Sequence, residues 1–189
     1  MEELFDIVSD GDEVIGRATR KDAHTIGHIH RSVLFFIFDD EGRVFVSQRT
    51  DNKEFYPGYW SIVFGGHVHA GESYEDAVAS ELEEEAGIRA KPAVMGSFKK
   101  RFDEKDKENV RVYAIVTGRA LAVDPREIKQ GSFMTMAELE KKLKEDRFLP
   151  ETALLYQILI ARRRHAQSDL VHEPYDDDQS CAHGHDGIY

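Results

Sequence analysis

The sequence predicts a single domain that mixes α-helix and β-strand. Three observations lead there: short β-branched and aromatic runs alternate with turn signals, one segment at 74–86 carries helix signals at both ends, and two stretches of helical periodicity follow near the C-terminal end. A chain of 189 residues suits one domain with a sizeable core.

The elements follow in order. Leu4 to Val8 and Glu13 to Arg17 flank Ser9-Asp10-Gly11-Asp12, whose Asp-Gly supplies the positive-φ positions of a tight turn, so an N-terminal β-hairpin is expected. Ser32 to Phe38 and Val44 to Arg49 are β-rich runs separated by Asp39-Asp40-Glu41-Gly42, and are expected to be central strands. A loop marked by Tyr56-Pro57-Gly58 leads to a short strand from Trp60 to Phe64 that ends at Gly65-Gly66. Ser73 is placed as a helix N-cap, with Asp76 three residues on in the manner of a capping box and Gly87 as terminator, which gives a helix over Tyr74 to Ala86. Val94 to Phe102 and Val110 to Val116 read as strands, then Met136 to Lys144 and Thr152 to Arg164 as helices. Residues 1–165 therefore form the expected domain. Residues 166–189 are polar and turn-rich, and are expected to be a flexible tail whose His172, His183 and His185 are solvated.

Composition narrows the function classes. The chain is 41% hydrophobic, 10% aromatic and 32% charged, which supports a soluble core and argues against a membrane protein. Its acidic start has no long apolar run, so neither a secretory signal nor an anchor is expected. A net charge of −11 repels nucleic-acid duplexes, and Lys99-Lys100-Arg101 reads as a solvated strand end. Small phosphorylated substrates stay open, because divalent cations reverse the local sign. The single cysteine, Cys181, excludes an intramolecular disulfide and fits a cytoplasmic location.

The chemistry concentrates between Gly66 and Ile88. On a helix, Glu81, Glu84 and Glu85 fall within an arc of roughly 100°, with Val78, Leu82 and Ala86 on the adjoining arc. Carboxylates so close raise one another's pKa unless a cation neutralises them, and this number of hard oxygen ligands selects Mg²⁺ or Mn²⁺. Alone, Glu83-Glu84-Glu85 is the face of an ordinary surface helix. Gly65-Gly66 upstream changes that reading, because it lets backbone approach a metal or phosphate closely.

These residues resemble the Nudix box, G-x5-E-x7-R-E-U-x-E-E-x-G-U with U aliphatic. Gly66, Glu72, Glu81, Leu82, Glu84, Glu85, Gly87 and Ile88 match, and Ser80 stands where the family has arginine. The resemblance implies a Nudix fold, a mixed β-sheet sandwiched between α-helices, and a metal-dependent, MutT-like pyrophosphohydrolase. It implies Glu84 and Glu85 as metal ligands, Glu81 as ligand or general base, the Gly65 carbonyl as a further metal contact, Gly66 at the substrate, and Glu72 as support. Ser80 cannot supply the arginine's charge, so another cation is expected to substitute or the metals alone to hold the glutamates. Arg49 is the candidate, either as that substitute or as a phosphate ligand.

Flanking segments, His28-Ile29-His30-Arg31 and Tyr56-Pro57-Gly58-Tyr59-Trp60, look like the branch that contains isopentenyl-diphosphate isomerases. In that branch histidines matching His30 and His67, and less securely His24, bind a metal, with a glutamate near Glu108. The isomerases also need a cysteine where this chain has Gly65. The expected function is therefore hydrolysis of a diphosphate linkage in a nucleoside diphosphate derivative or related substrate by water attack at phosphorus. The alternatives are the isomerase and a non-catalytic diphosphate-binding regulatory module. The expected partner is a small-molecule diphosphate, with a homodimer left open.

Overall fold

In the central strand β3 (His30–Phe38), Val33, Phe35 and Ile37 fall on one face and Phe36 on the other, all fully buried, so both faces of the strand are covered. The computed structural model describes residues 2–101 and 103–171. β3 runs parallel to β8 (Lys107–Val116) from His30 opposite Glu108 to Phe38 opposite Val116. It is antiparallel to β6 (Phe64–His67) and meets β4 (Val44–Arg49) at Phe38 and Val44. β4 carries β5 (Trp60–Ser61) and β9 (Ile128–Met134), and β7 (Ala93–Arg101) flanks β8, completing a seven-stranded mixed sheet.

Helices cover the two faces. Val78, Leu82 and Ala86 of α2 (Tyr74–Ala86) pack on Val33, Phe35 and Ile37. Leu139 of α3 (Met136–Glu145) and Leu155 and Leu159 of α4 (Thr152–Val171) pack with Phe36, Val46 and Val112 on the other side. Each such buried aliphatic side chain contributes about 1.5–3 kcal/mol relative to exposure. The expected sandwich of sheet between helices is the fold observed. α2 starts and stops where its caps place it: the Ser73 hydroxyl oxygen accepts from the Asp76 N–H, and Gly87 closes the helix at φ 66°. The reciprocal half of the expected capping box is replaced, because the Asp76 carboxylate takes the Ser73 hydroxyl at 2.6 Å.

The N-terminal hairpin, β1 (Leu4–Val8) and β2 (Val14–Thr19), is a separate two-stranded sheet. After it, α1 (Arg20–Asp22) runs into a π-helical turn, Ala23–Gly27. Carboxylates latch this hairpin to the domain. Asp12 Oδ1 accepts from Arg31 Nε at 3.0 Å, from Asn109 Nδ2 at 3.1 Å and from the Tyr74 hydroxyl at 3.1 Å. Burial alone would raise the Asp12 carboxyl, but Arg31 and its other donors hold it below the usual range. Asp6 accepts from Arg17 Nε at 2.9 Å and from the Gly71 N–H at 2.7 Å.

Several expectations change. The left-handed residue of the hairpin turn is Asp12, at φ 69°, rather than Gly11. The run from Trp60 to Phe64 is two strands, and Gly65-Gly66 lies inside β6 instead of ending a strand. Lys99 and Arg101 pair with Asp10, and Lys100 with Glu108 and Asp106, so this cluster is a set of ties rather than a solvated end. β9 had no sequence signal of its own. α4 continues past Arg164 to Val171, because the chain there holds neither glycine nor proline to stop it. The remaining residues of the expected tail, with Cys181 and its histidines, lie outside the described residues. No helix among the described residues is long and apolar enough to cross a membrane.

Candidate active site

The last two turns of α2 put Glu81, Glu84 and Glu85 on the wall of a cavity of about 600 Å³. The floor is β6: Gly65 lines the cavity, and its N–H donates to Glu85 Oε2 at 3.2 Å. The expected role of Gly65 was its carbonyl; the structure adds its amide as an anchor for a carboxylate. At Gly66 a Cβ would sit 1.8 Å from Glu81 Oε1, so any side chain there would displace the Glu81 carboxylate. Gly65 is confined from the opposite side, where a Cβ would sit 2.2 Å from the Val33 carbonyl oxygen of β3.

Burial raises Glu81 to about 7, with the charge of Glu84 adding to it, and burial raises Glu85 to about 7, with the charge of Glu81 adding. No guanidinium or ammonium hydrogen-bonds either carboxylate among the described residues. Two half-buried acids raised this far form a site that gains from a cation.

Arg49 lines the same cavity, but its Nε and Nη2 donate to the Phe55 carbonyl at 3.3 and 3.1 Å, so it does not replace the missing box arginine. Ser80 is exposed, beside Glu83 and Arg89, on a side of α2 away from the cavity. Glu72 stays outside the cavity and shapes the loop before α2, accepting from the His69 N–H at 3.0 Å.

The sequence reading missed the opposite wall. Asp124, Arg126 and Glu127 line the cavity from the turn leading into β9, and Lys53 Nζ lies 2.5 Å from Glu127 Oε2. The charge of Glu127 raises Glu85 and that of Lys53 lowers it, which places both groups within its field. The available signal was Lys53 in a turn-rich loop just after Arg49. Asp124, Arg126 and Glu127 had none, because they arrive through the pairing of β9 with β4.

His24, His30 and His67 form a second cluster under the hairpin, their ligand atoms within 4.8 Å of one another. Phe5 stacks on His30 and His67 at centroid distances of 5.1 and 4.8 Å. Nε2 of His30 is buried with no hydrogen-bond partner. Burial, more than any other cause, depresses His67 to about 4 and lowers His30. The charge of Glu108 acts on both imidazoles, and Lys100 holds Glu108 below the carboxylate range despite its burial.

A mixed sheet between helices, with a Glu-rich helix presenting its carboxylates to a cavity, defines a Nudix-type hydrolase. Comparison with known proteins agrees. The NUDIX domain family matches residues 28–153. An uncharacterized Nudix hydrolase of Streptomyces coelicolor is 38% identical over 164 residues, covering 86% of this chain and 91% of the relative. An isopentenyl-diphosphate Delta-isomerase of Photorhabdus laumondii is 29% identical over 142 residues, covering 71% of this chain and 81% of the relative. A crystal structure from Deinococcus radiodurans, 24% identical, superposes with a TM-score of 0.70 over 82% of this chain and 98% of that one, showing the shared fold. The chain belongs to the Nudix family.

Proposed function

We propose that the protein hydrolyses the diphosphate linkage of a nucleoside diphosphate derivative or related substrate, using Mg²⁺ or Mn²⁺ held by Glu81, Glu84 and Glu85. The observation that carries this reading is the convergence of three box carboxylates on one cavity, two of them half-buried and raised to about 7. The donor set fits the ion: carboxylate oxygens are hard ligands, and Gly66 leaves open the space in front of Glu81 that any Cβ would fill. The divalent ion would neutralise diphosphate charge and lower the pKa of a water at the site.

The chain's own groups supply the rest. Glu84 and Glu85 would hold the ion, with the Gly65 carbonyl as a further contact; the Gly65 amide donates to Glu85 Oε2. Glu81, raised to about 7 without metal, would serve as a further ligand or accept the proton of the attacking water. Arg49 receives phosphate oxygens opposite. A P–O bond forms to water as the bridging P–O bond breaks, and the leaving phosphate oxygen carries away the electron pair. In ¹⁸O-water with Mg²⁺, a phosphorus-containing product should carry one heavy oxygen, and Glu85→Gln should abolish its formation. Turnover by that variant at the parent rate, or tight ligand binding without turnover by the parent, rejects this assignment; the latter outcome describes a regulatory module.

Gly65 weighs against the isomerase reading: it carries no thiol, and in this chain's packing a Cβ there would sit 2.2 Å from the Val33 carbonyl oxygen. Isopentenyl diphosphate in deuterated water should gain no deuterium on carbon. The histidine cluster is proposed as a second site, for a first-row transition ion such as Zn²⁺ or Mn²⁺, because a buried imidazole nitrogen without a partner gains from one. Elemental analysis should find this ion in the parent and lose it in His30→Ala and His67→Ala.

A further inference from the structure

The histidine cluster is one end of a longer row. Strand register places Lys100 of β7 opposite Glu108 of β8, and Glu108 opposite His30 of β3. Paired residues of neighbouring strands project from the same face of a sheet, and each strand lies about 4.8 Å from the next. His67 of β6 joins that face, because its partner Ser32 stands two residues from His30. Glu108 is therefore the middle group of the row, with an ammonium on one side and imidazoles on the other.

The ammonium holds it. Lys100 Nζ donates to Glu108 Oε1 at 2.8 Å and lies 3.0 Å from Asp106 Oδ2. Glu108 and His30 are both buried, and the charges of Glu108 and Lys100 act on His30 in opposite directions. The ligand atoms that gather within 4.8 Å of one another are those of His24, His30 and His67; Glu108 is not in the group. A carboxylate one strand away from the cluster thus gives its oxygen to a lysine instead.

That arrangement decides what the cluster offers an ion. Three neutral imidazoles are borderline nitrogen ligands, which suit Zn²⁺, whereas Mn²⁺ is better served by hard carboxylate oxygen. Glu108 would add both that oxygen and a negative charge. Lys100 removes the oxygen from reach and sets a positive charge nearby, which repels a second cation.

We propose that Lys100 sets the metal preference of the histidine cluster: by engaging Glu108 it leaves an all-imidazole donor set that takes Zn²⁺ over Mn²⁺. This rests on the cluster being a metal site, and names the residue that decides which ion it takes. Lysine and ion compete for one carboxylate.

The test measures Zn²⁺ and Mn²⁺ affinities by equilibrium competition with a chromogenic chelator. Binding that His30→Ala removes is the cluster's, which separates it from ions held by the box glutamates. Lys100→Met should tighten Mn²⁺ at the cluster about tenfold or more and narrow the preference for Zn²⁺. Lys100→Arg, which keeps the charge, should behave as the parent, and adding Glu108→Gln to Lys100→Met should cancel the gain. Glu108→Gln alone should leave both affinities unchanged, a result independent of how well Lys100→Met folds, since Lys100 retains Asp106 there. Unchanged Mn²⁺ affinity in folded Lys100→Met overturns the proposal. A gain that survives in the double variant overturns it too, as does weaker binding in Glu108→Gln alone, which would make Glu108 a ligand despite the lysine. Failure of the metal-site reading registers separately: His30→Ala would then remove no binding of either ion from the parent or from any variant, and the proposal would fall with it.

Discussion

Two sets of partly buried carboxylates in this protein meet opposite surroundings. In the hairpin latch, Asp12 is met by Arg31, Asn109 and Tyr74, and its carboxyl lies below the ordinary range. In the cavity, Glu81 and Glu85 face other acids, and both are raised to about 7. Burial acts in the same direction on both sets; the partners decide the sign. A carboxylate that holds elements together is supplied with donors by the fold itself. One proposed to hold a metal is left short of them, so it would gain from the cation.

The contrast breaks most sharply at Glu85. Replacing it with Gln removes the charge of a proposed ligand while nearly keeping its shape, so turnover should fall on the order of a hundredfold or more. Thermal stability without metal should hold or rise, because a charge that burial opposes has gone. Steady-state kinetics and a melting curve on one preparation check both halves.

Breaking the latch should reverse the pattern. Arg31→Ala strands Asp12 beside its remaining donors and should cost about 1–3 kcal/mol of stability. The kcat of the folded fraction should stay near the parent's, because Arg31 does not line the cavity. A denaturant titration set beside kcat separates the two effects.

Acidity distinguishes the sets without mutation. Glu81 and Glu85 are raised from 4.5 to about 7, so in metal-free protein their contribution to stability is present below 4.5 and lost as pH rises toward 7. Asp12 is depressed, so its contribution is present above its ordinary value of 3.8 and lost as pH falls below it. Adding Mg²⁺ should flatten the first slope by replacing protons with cations, and leave the second unchanged. Melting temperatures across pH, with chelator and with Mg²⁺, test this. The smallest effect should come from Ser80→Arg: the side chain is exposed and away from the cavity, so stability should move by less than about 0.5 kcal/mol and turnover should stay level or rise.

What the sequence revealed was local. The box helix was legible because Ser73, the spacing of Glu81, Glu84 and Glu85, and Gly87 all act within one element. β9 was hidden because Gly131 interrupts it; that glycine is explained only by Phe45 on the neighbouring strand, whose Cζ would lie 2.5 Å from a Cβ there. Glu127 and Asp124 were hidden for the same reason, since nothing near them in sequence announces that β9 will deliver them opposite Glu85. The π-helical turn that positions His24 depends on Gly27, where a Cβ would collide with the Glu104 carbonyl oxygen, a contact far along the chain. Residue types chosen by a neighbour across space carry no pattern along the sequence.

Gly65 closes a historical door as well as a steric one. Glycine and cysteine codons can differ by a single nucleotide, so a thiol at this position lies within one mutational step of the gene. In this chain's packing that step meets a steric conflict, because the Val33 carbonyl that a Cβ would approach to 2.2 Å belongs to the central strand, which pairs with both β6 and β8. The neighbouring chemistry is close in sequence and remote in accessible paths.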